Sequence, residues 1–556
     1  MSETLSGAHI LCRTLADAGV DVIFGYPGGA IMPFYHALPE YPRLRHILVR
    51  HEQAAAHAAD GYARASGRVG VCVATSGPGA TNLVTGLATA HMDSSPVVAI
   101  TGQVSRPMIG RDAFQETDII GITLPITKQN YLVQDAADLA DVVTEAIAVA
   151  QHGRPGPVLI DVPKDVQNQK VEYTPAAVVG AQHAAPLPKA GDDAVQRAAD
   201  LIAAAQRPLL MVGHGVILAN AYAEVRALAE KTGMPVITTL LGISAFPEGH
   251  PQHLGMPGMH GEVHVNRAIQ RADLIVGIGL RFDDRVTGNL AAFAPRAQVV
   301  HIDLDRSEIG RNVPTAVGIV GDARAVTRRL VAAIQARSCD AWRAEIEGSR
   351  RPQDASFRGG MSPEAILAAI HDATGGECTI VTDVGQHQMW VAKLFPYRRP
   401  NTHITSGGLG TMGFAVPAAM GVHLARPGEP VWAISGDGGF QMNMAEMATM
   451  VQEGLPVKLA VFNNGYLGMV RQWQQFFHGK RYSSTPIWSP DYVKLAEAYG
   501  IPGYRVRHAS ELADAVGQAN AALGPTLVEF VIEREANVFP MIPPGGSLSE
   551  PIEAAV

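Results

Sequence analysis

Short apolar runs recur along this chain, each closed by glycines or a turn and followed by a helical pattern. RVGVCVATSGPGATN, PVVAITGQ, PVLIDVPKD, PLLMVGHGV, DLIVGIGLRFDD, QVVHIDLD, TIVTDVGQH, PVWAISGDGGF, VKLAVFNN and TLVEFVI are apolar in continuous blocks rather than in alternation. Strands of that kind are covered on both faces, as in parallel sheets with helices on each side. Two breaks interrupt the series: an Ala- and Pro-rich stretch over 171–193, and a charged helix running into a Gly/Pro segment over 337–363. Both read as linkers. The expected fold is therefore α/β, with three doubly wound parallel-sheet domains at 1–175, 190–340 and 360–540 and a C-terminal arm at 541–556. The first and third domains each set a glycine-rich turn between a buried strand and a helix, TSGPGATN and SGDGGFQMN, and are expected to be related in structure.

The 556 residues are 47% hydrophobic and 17% charged, the balance of a globular chain with large cores. A net charge of −8 with scattered arginines leaves no basic stripe for tracking phosphates, so nucleic acid is not an expected partner. The four cysteines lie far apart with no CxxC pair, which fits small core residues in a reducing cytoplasm rather than zinc ligands or disulfides. No apolar run approaches membrane-spanning length, and the amphipathic N-terminus lacks a signal or transit pattern.

In SGDGGF, Asp437 stands among Gly436, Gly438 and Gly439 at the carboxyl end of a strand, where open parallel sheets bind ligands. The glycines let the backbone approach a phosphate, but a carboxylate beside a phosphate repels it unless a divalent cation lies between them. The stretch thus points to Mg²⁺. The next buried strand ends in Asn463-Asn464, and Asn464 offers a neutral oxygen ligand one strand-helix-strand unit away. Taken alone, SGDGGF also reads as an Asp that caps its own helix.

GDG followed by NN resembles the metal-diphosphate signature of thiamine diphosphate enzymes. The resemblance implies Mg²⁺ held by Asp437, Asn464 and the backbone carbonyl of Tyr466. It also implies thiamine diphosphate held between a pyrimidine-binding first domain and a diphosphate-binding third domain. RHEQAAAHAADGYAR resembles the family's glutamate helix, which makes Glu52 the carboxylate that bonds and activates the cofactor's aminopyrimidine. Without the resemblance, a Glu in the first turn of a helix is only a favourable charge for the helix dipole. In this family the glutamate and the aspartate come from different subunits, so the resemblance implies a homodimer or tetramer with the active site at the subunit interface.

From GVDVIFGYPGGAIMPFYHAL to NVFPMIPPGGS the chain resembles the catalytic subunits of the acetolactate synthase family. The matching substrate-side motifs contain Gly29 (YPGGA), Phe114 and Gln115 (GRDAFQETD), Lys164 (VPKDV), Met412 (SGGLGTMGF) and Trp473 (GYLGMVRQWQ). By that resemblance Met412 supports the bent cofactor and Trp473 narrows the second-substrate pocket. Gln386 and His387 of TDVGQHQMW face the diphosphate, with Met469 close by. Seen singly, such Met, His and Trp residues are more often plain core. The central domain resembles a Rossmann-like FAD-binding domain. Gly213, Gly215, Met259, His260, Gly279 and Arg281 stand at matching positions. So do Asp284, Asp303 and Asp322, with Arg154 assigned to the cofactor and Arg285 between the flavin and the incoming 2-ketoacid. RFDDR alone also reads as a surface ion-pair loop.

The implied reaction decarboxylates pyruvate and ligates the hydroxyethyl unit to pyruvate or 2-ketobutyrate. The products, 2-acetolactate and 2-aceto-2-hydroxybutyrate, lead to the branched-chain amino acids valine, leucine and isoleucine. The flavin does no net redox work in it, and a small regulatory subunit is a further candidate partner. Water must be kept out, so a mobile cover is expected from QWQQFFHGKRYSSTPIW and the C-terminal PMIPPGGSLSEPIEAAV. The rivals are an FAD-dependent pyruvate oxidase, a catabolic acetolactate synthase without flavin, and an inactive regulatory paralogue. Retention of RFDDR with Trp473 favours the biosynthetic enzyme, and the presence of Glu52, Asp437 and Asn464 favours an active one. Leu124, Gln129 and Pro544 depart from the commoner pattern and bear on substrate affinity and inhibitor sensitivity.

Overall fold

A computed structural model describes residues 3–175, 190–350 and 361–554. The two expected linkers fall partly on 176–189 and 351–360, outside the described residues. The apolar runs form three six-stranded parallel sheets flanked by helices. Strand β1 (Glu3–Ser6) precedes the first sheet, which is built from β2 (Val22–Gly25), β3 (Arg45–Leu48), β4 (Gly70–Ala74), β5 (Val97–Gln103), β6 (Gln129–Leu132) and β7 (Val158–Pro163). Strand β8 (Lys170–Tyr173) then returns to pair antiparallel with β1. The second sheet contains β9 (Pro208–Val212), β10 (Val236–Thr238), β11 (His253–Gly255), β12 (Leu274–Ile278), β13 (Gln298–Asp303) and β14 (Val317–Val320). The third contains β15 (Thr379–Thr382), β16 (His403–Thr405), β17 (Val431–Gly436), β18 (Lys458–Asn463), β19 (Gly503–Val506) and β20 (Thr526–Val531).

The first sheet runs β3-β2-β4-β5-β7-β6 and the third β16-β15-β17-β18-β20-β19. These are one strand order used twice, the kinship anticipated from the two glycine turns. The central order, β11-β10-β9-β12-β13-β14, is that of dinucleotide-binding sheets. Strand order reverses between β2 and β4, between β9 and β12, and between β15 and β17. At such a reversal the connections leave in opposite directions and open a crevice at the strands' carboxyl ends. The segments at these three crevices are Gly28-Gly29 with Thr75–Gly77, Gly213–Gly215 with Gly279–Arg281, and Gly385–His387 with Gly436-Asp437.

One hydrophobic core joins the first and third units, built around the helices Glu52–Ser66 and Ala415–Ala425. The Glu52 helix begins at His51, whose ring accepts the Gln53 N–H at 3.1 Å, and ends at Gly67 in the left-handed region, φ 71°. Its alanines leave almost no side-chain bulk, so the two helices meet nearly backbone to backbone. A Cβ on Gly61 would collide with the Ala418 carbonyl, and one on Gly421 with the Ala58 carbonyl. Gly421→Val is therefore expected to destabilise the fold by about 1–3 kcal/mol or more, since a packed core resists added volume. Thermal unfolding measures the effect, and a melting point equal to the wild type would show that this contact yields.

The C-terminal arm, expected as part of a mobile cover, lies packed against the central unit. Ile542 and Leu548 are buried in the core of the central unit. The Ile542 N–H donates to the Met259 carbonyl at 2.8 Å, and the Asn289 N–H to the Gly546 carbonyl at 3.0 Å. Two apolar side chains with backbone pairing fix the arm to the second sheet's neighbourhood. The cysteines are all buried and unpaired. No helix of the described residues is long and apolar enough to cross a membrane.

Candidate active site

Parallel pairing of β17 with β18 sets Gly436 opposite Phe462, so Asp437 and Asn464 emerge side by side at the sheet's carboxyl edge. Asp437 is buried and does not serve as the N-cap of its helix, a position held by Gly436. Its Oδ1 accepts the Gly438 N–H at 3.0 Å, and its Oδ2 accepts the Gly465 N–H at 2.7 Å and the Ser489 hydroxyl at 3.3 Å. Burial outweighs these donors and pushes the carboxyl up to about 6. Asn464 Oδ1 accepts the Tyr466 N–H at 3.0 Å, which folds the Asn464–Tyr466 turn over the pocket. Behind it, Gln386 gives its amide hydrogens to Gln472 and to the Ala536 carbonyl, at 2.9 and 2.7 Å. Its side chain is thus a brace between two elements.

These groups line one small cavity of about 60 Å³, together with His387, Gly438, Gly439, Met412 and Met469. His387 is the conspicuous member. It is buried, its Nε2 has no protein partner, and desolvation holds its pKa down to about 3, so it is neutral. Its ring reaches within 3.0 Å of where a Cβ on Gly436 would stand. Glycine at 438 and 439 is likewise demanded by Leu467 and by the Asp383 carboxylate. The donor set is a carboxylate, an amide oxygen and a turn backbone, set against a glycine cradle and an imidazole with one free nitrogen. Such a set suits a diphosphate bridged to a hard divalent cation.

A second cavity of about 900 Å³ adjoins the first and shares Met412 and Met469 in its wall. It runs between all three units. Of the residues matched to a flavin site, Arg154, Gly215, Met259, His260, Gly279 and Arg281 line it. Asp284, Arg285, Asp303 and Asp322 line it too, as does Trp473 at the end nearest Met412 and Met469. Gly213 lies outside the lining, where a Cβ would strike the Gly279 carbonyl, so it serves the close approach of β9 and β12. His260 has an orphaned Nδ1 and is kept neutral by burial, its pKa lowered to about 4. Burial pushes Asp303 up to about 6, while Asp322 Oδ1 caps the helix Ala323–Ala333 through the Ala325 N–H at 2.8 Å. Arg154 pairs with Asp305 and Glu308 at 3.2 and 2.8 Å, tying the first unit to the second. Trp473 is half-buried, and with Arg285 it continues into an open mouth lined also by His478 and Arg481.

Glu52, Gly29, Phe114, Gln115 and Lys164 line neither cavity. Glu52 accepts the Asn82 amide at 2.9 Å, and its Oε1 stands 3.2 Å from where a Cβ on Gly79 would lie. Gln115 has φ 61° and packs its backbone on Gly77, beside an 88% exposed Phe114. Gly29 has open space around it, and Lys164 is exposed at the start of the helix Lys164–Asn168. Two residues before Glu52, the Arg50 N–H donates to Glu446, just beyond the helix Asp437–Asn443. That helix spans about 10 Å. Within one chain the backbone that leads into Glu52 is thus tied beyond the end of that helix away from Asp437.

Several residues at these sites had no sequence signal of their own. Asp383 is buried, accepts both Gly413 and Ala415 N–H groups, and is pushed up to about 6 by its burial. Asp93, His214 and Glu308 also line the large cavity. Each acts on distant chain, and only the TDVG context of Asp383 offered a hint.

Family comparisons agree with this geometry. Sequence models of the thiamine pyrophosphate enzyme match its N-terminal TPP binding domain to 5–122, its central domain to 195–330 and its C-terminal TPP binding domain to 383–530. An acetolactate synthase of Mycobacterium bovis is 50% identical over all of this chain and 92% of its own length. An acetolactate synthase large subunit of Corynebacterium glutamicum is 45% identical, covering 99% of this chain and 90% of its own. A probable acetolactate synthase large subunit of Methanocaldococcus jannaschii is also 45% identical, with 99% and 95% covered.

Proposed function

The chain belongs to the acetolactate synthase family of thiamine pyrophosphate enzymes, and from that premise we propose a mechanism, a cofactor set and an assembly for it. The reaction is decarboxylation of pyruvate and ligation of the two-carbon unit to pyruvate or 2-ketobutyrate, feeding branched-chain amino acid synthesis in the cytoplasm. Thiamine diphosphate, when bound, supplies the carbon nucleophile and the electron sink for loss of CO₂. The observation that carries this reading is the pocket in which Asp437, Asn464, a glycine cradle and the free Nε2 of His387 converge beside Met412.

Asp437, Asn464 and the Tyr466 carbonyl would hold Mg²⁺, with His387, Gly438 and Gly439 against the diphosphate. Met412 and Met469 would press on the cofactor from the wall shared with the large cavity, their flexible thioethers adapting to it. Glu52 would hold a proton at the aminopyrimidine, and Gly29, Phe114, Gln115 and Lys164 would arrive on the same face. As the family resemblance implies, the site would be completed by a second copy, in a dimer or a tetramer built from dimers; the tie of Arg50 beyond the far end of the Asp437 helix supports this. The 88% exposed Phe114 and the 81% exposed Trp488, whose carbonyl meets Gln441 of the Asp437 helix, suit burial in such an interface. The large cavity would take FAD without net redox work. Arg285 at its mouth would orient the ketoacid carboxylate. The domain limits 1–175, 190–340, 360–540 and 541–556 follow from the same scheme, as does a small regulatory subunit as partner.

Incubation of the purified protein with pyruvate, thiamine diphosphate and Mg²⁺, with and without FAD, is expected to yield acetolactate with little acetaldehyde and no oxygen uptake. Oxygen consumption without acetolactate would instead identify an oxidase. Trp473→Leu is expected to lose about tenfold or more of any preference for 2-ketobutyrate over pyruvate, the scale on which one methylene is discriminated in an apolar pocket. A competition assay reads the ratio of the two products, and an unchanged ratio would remove Trp473 from the acceptor pocket.

A further inference from the structure

We propose that Asp93 is a positioning residue of the active site, holding the Ser406–Met412 loop that walls the large cavity and carries Met412. The proposal deepens the acetolactate synthase reading and rests on it. Asp93 ends the helix Val84–Asp93 of the first unit, yet its carboxylate serves the third. Its Oδ2 accepts the Gly407 N–H at 3.0 Å and its Oδ1 the Gly408 N–H at 2.6 Å. Oδ2 also accepts a hydrogen from Arg64 at 3.0 Å.

Arg64 belongs to the helix that begins at Glu52, and it too is committed to the loop's surroundings. It pairs with Asp60 at 2.6 Å, donates to the Thr405 carbonyl at 2.8 Å, and lies 5.3 Å from the Phe414 ring centre. One turn earlier on the Asp93 helix, the Thr89 hydroxyl meets the Thr411 hydroxyl at 2.7 Å. A single helix thereby pins both ends of the loop. Leu409, between the pins, is exposed. A Cβ on Gly408 would lie 2.8 Å from Asp93 Oδ1 and 3.0 Å from an Arg281 nitrogen, so only glycine lets the carboxylate and the cavity arginine approach from either side.

The geometry of the junction calls for two acceptor oxygens. Three N–H donors converge on two oxygens, and charge-assisted bonds of that kind are the strong ones. Asparagine has the same shape but one acceptor oxygen, and its NH₂ would face a donor. Buried ion pairs are weak contributors to stability in general, which leaves geometry as what this one secures.

Asp93→Asn is compared with Asp161→Asn, a second buried carboxylate of the first unit that accepts Thr101 and Gln103 at 2.7 and 2.9 Å, outside this loop. Amide exchange over 406–413 in the full-length protein without substrates is expected to quicken about tenfold or more in Asp93→Asn alone, as a released loop opens more often. In the holoenzyme kcat is expected to fall about tenfold or more with the pyruvate KM little changed, since small misplacements near the chemistry carry large rate costs. Asp161→Asn is expected to change neither. Thr89→Val, which removes only the second pin, is expected to show the same two effects in smaller measure, and it carries the test if Asp93→Asn does not fold. Unchanged exchange, or faster exchange with wild-type kcat, overturns the proposal. Wild-type protein that makes no acetolactate overturns the functional reading, and this assignment with it.

Discussion

Replacing Glu52 by Gln is expected to cut acetolactate formation by about 10²–10⁴-fold, the contribution typical of one positioned acid–base group. The substitution keeps the side chain's length and the hydrogen bond to Asn82, so the helix Glu52–Ser66 and the fold should survive. What it removes is the exchangeable proton proposed to act at the aminopyrimidine. Thiamine diphosphate and Mg²⁺ should still bind, because the residues proposed for them belong to the other end of the chain. Steady-state rates alongside a cofactor titration separate the two effects. Wild-type turnover in Glu52→Gln would end the assignment of the activating carboxylate. A stronger check follows from the proposed assembly. Mixing inactive Glu52→Gln with an inactive Asp437 variant should restore part of the activity through hybrid dimers that hold one intact site.

Asp437→Ala is the second large effect. It removes the one anionic ligand proposed for the cation, and the Mg²⁺ dissociation constant is expected to rise about 100-fold or more, the upper range for losses around metal sites. Burial already pushes this carboxyl up to about 6, so its charge costs the empty fold something, and its loss should not unfold the protein. Wild-type protein with thiamine diphosphate and Mg²⁺ at 100 times their dissociation constants should gain about 2.7 kcal/mol of stability, and the variant almost none. Thermal shift with and without the pair reads both. An equal shift in the variant would place the cation elsewhere.

The two carboxylates were legible in the sequence for different reasons. Asp437 and Asn464 could be paired from physics, because β17 and β18 are buried, neighbouring and parallel, and their ends must emerge together. Glu52 carried no such signal and was reached through resemblance alone. The central strands were readable as apolar blocks, whereas several edge strands were not. Gln129–Leu132, His253–Gly255 and Gly503–Val506 are partly exposed and contain no continuous apolar run, since an edge has one neighbour and needs less cover. The clamp on the Met412 loop was invisible because Asp93 and Gly407 are 314 residues apart, and nothing local marks an aspartate whose partners are backbone N–H groups. Gln386, expected to face the diphosphate, spends its side-chain amide hydrogens on Gln472 and the Ala536 carbonyl, partners that its motif does not announce.

The arm was expected as part of a cover against water, and two apolar side chains decide where it rests. With Ile542 and Leu548 lodged in the middle unit, that unit is assembled from one stretch of chain and from residues made only after the whole third sheet. A ribosome that has finished the central sheet has not yet made the residues that seal it, so the unit stays unsealed until the third sheet has followed it. A polypeptide lacking those residues would leave that interior open to water, and quality-control proteases would meet it as an unfinished product.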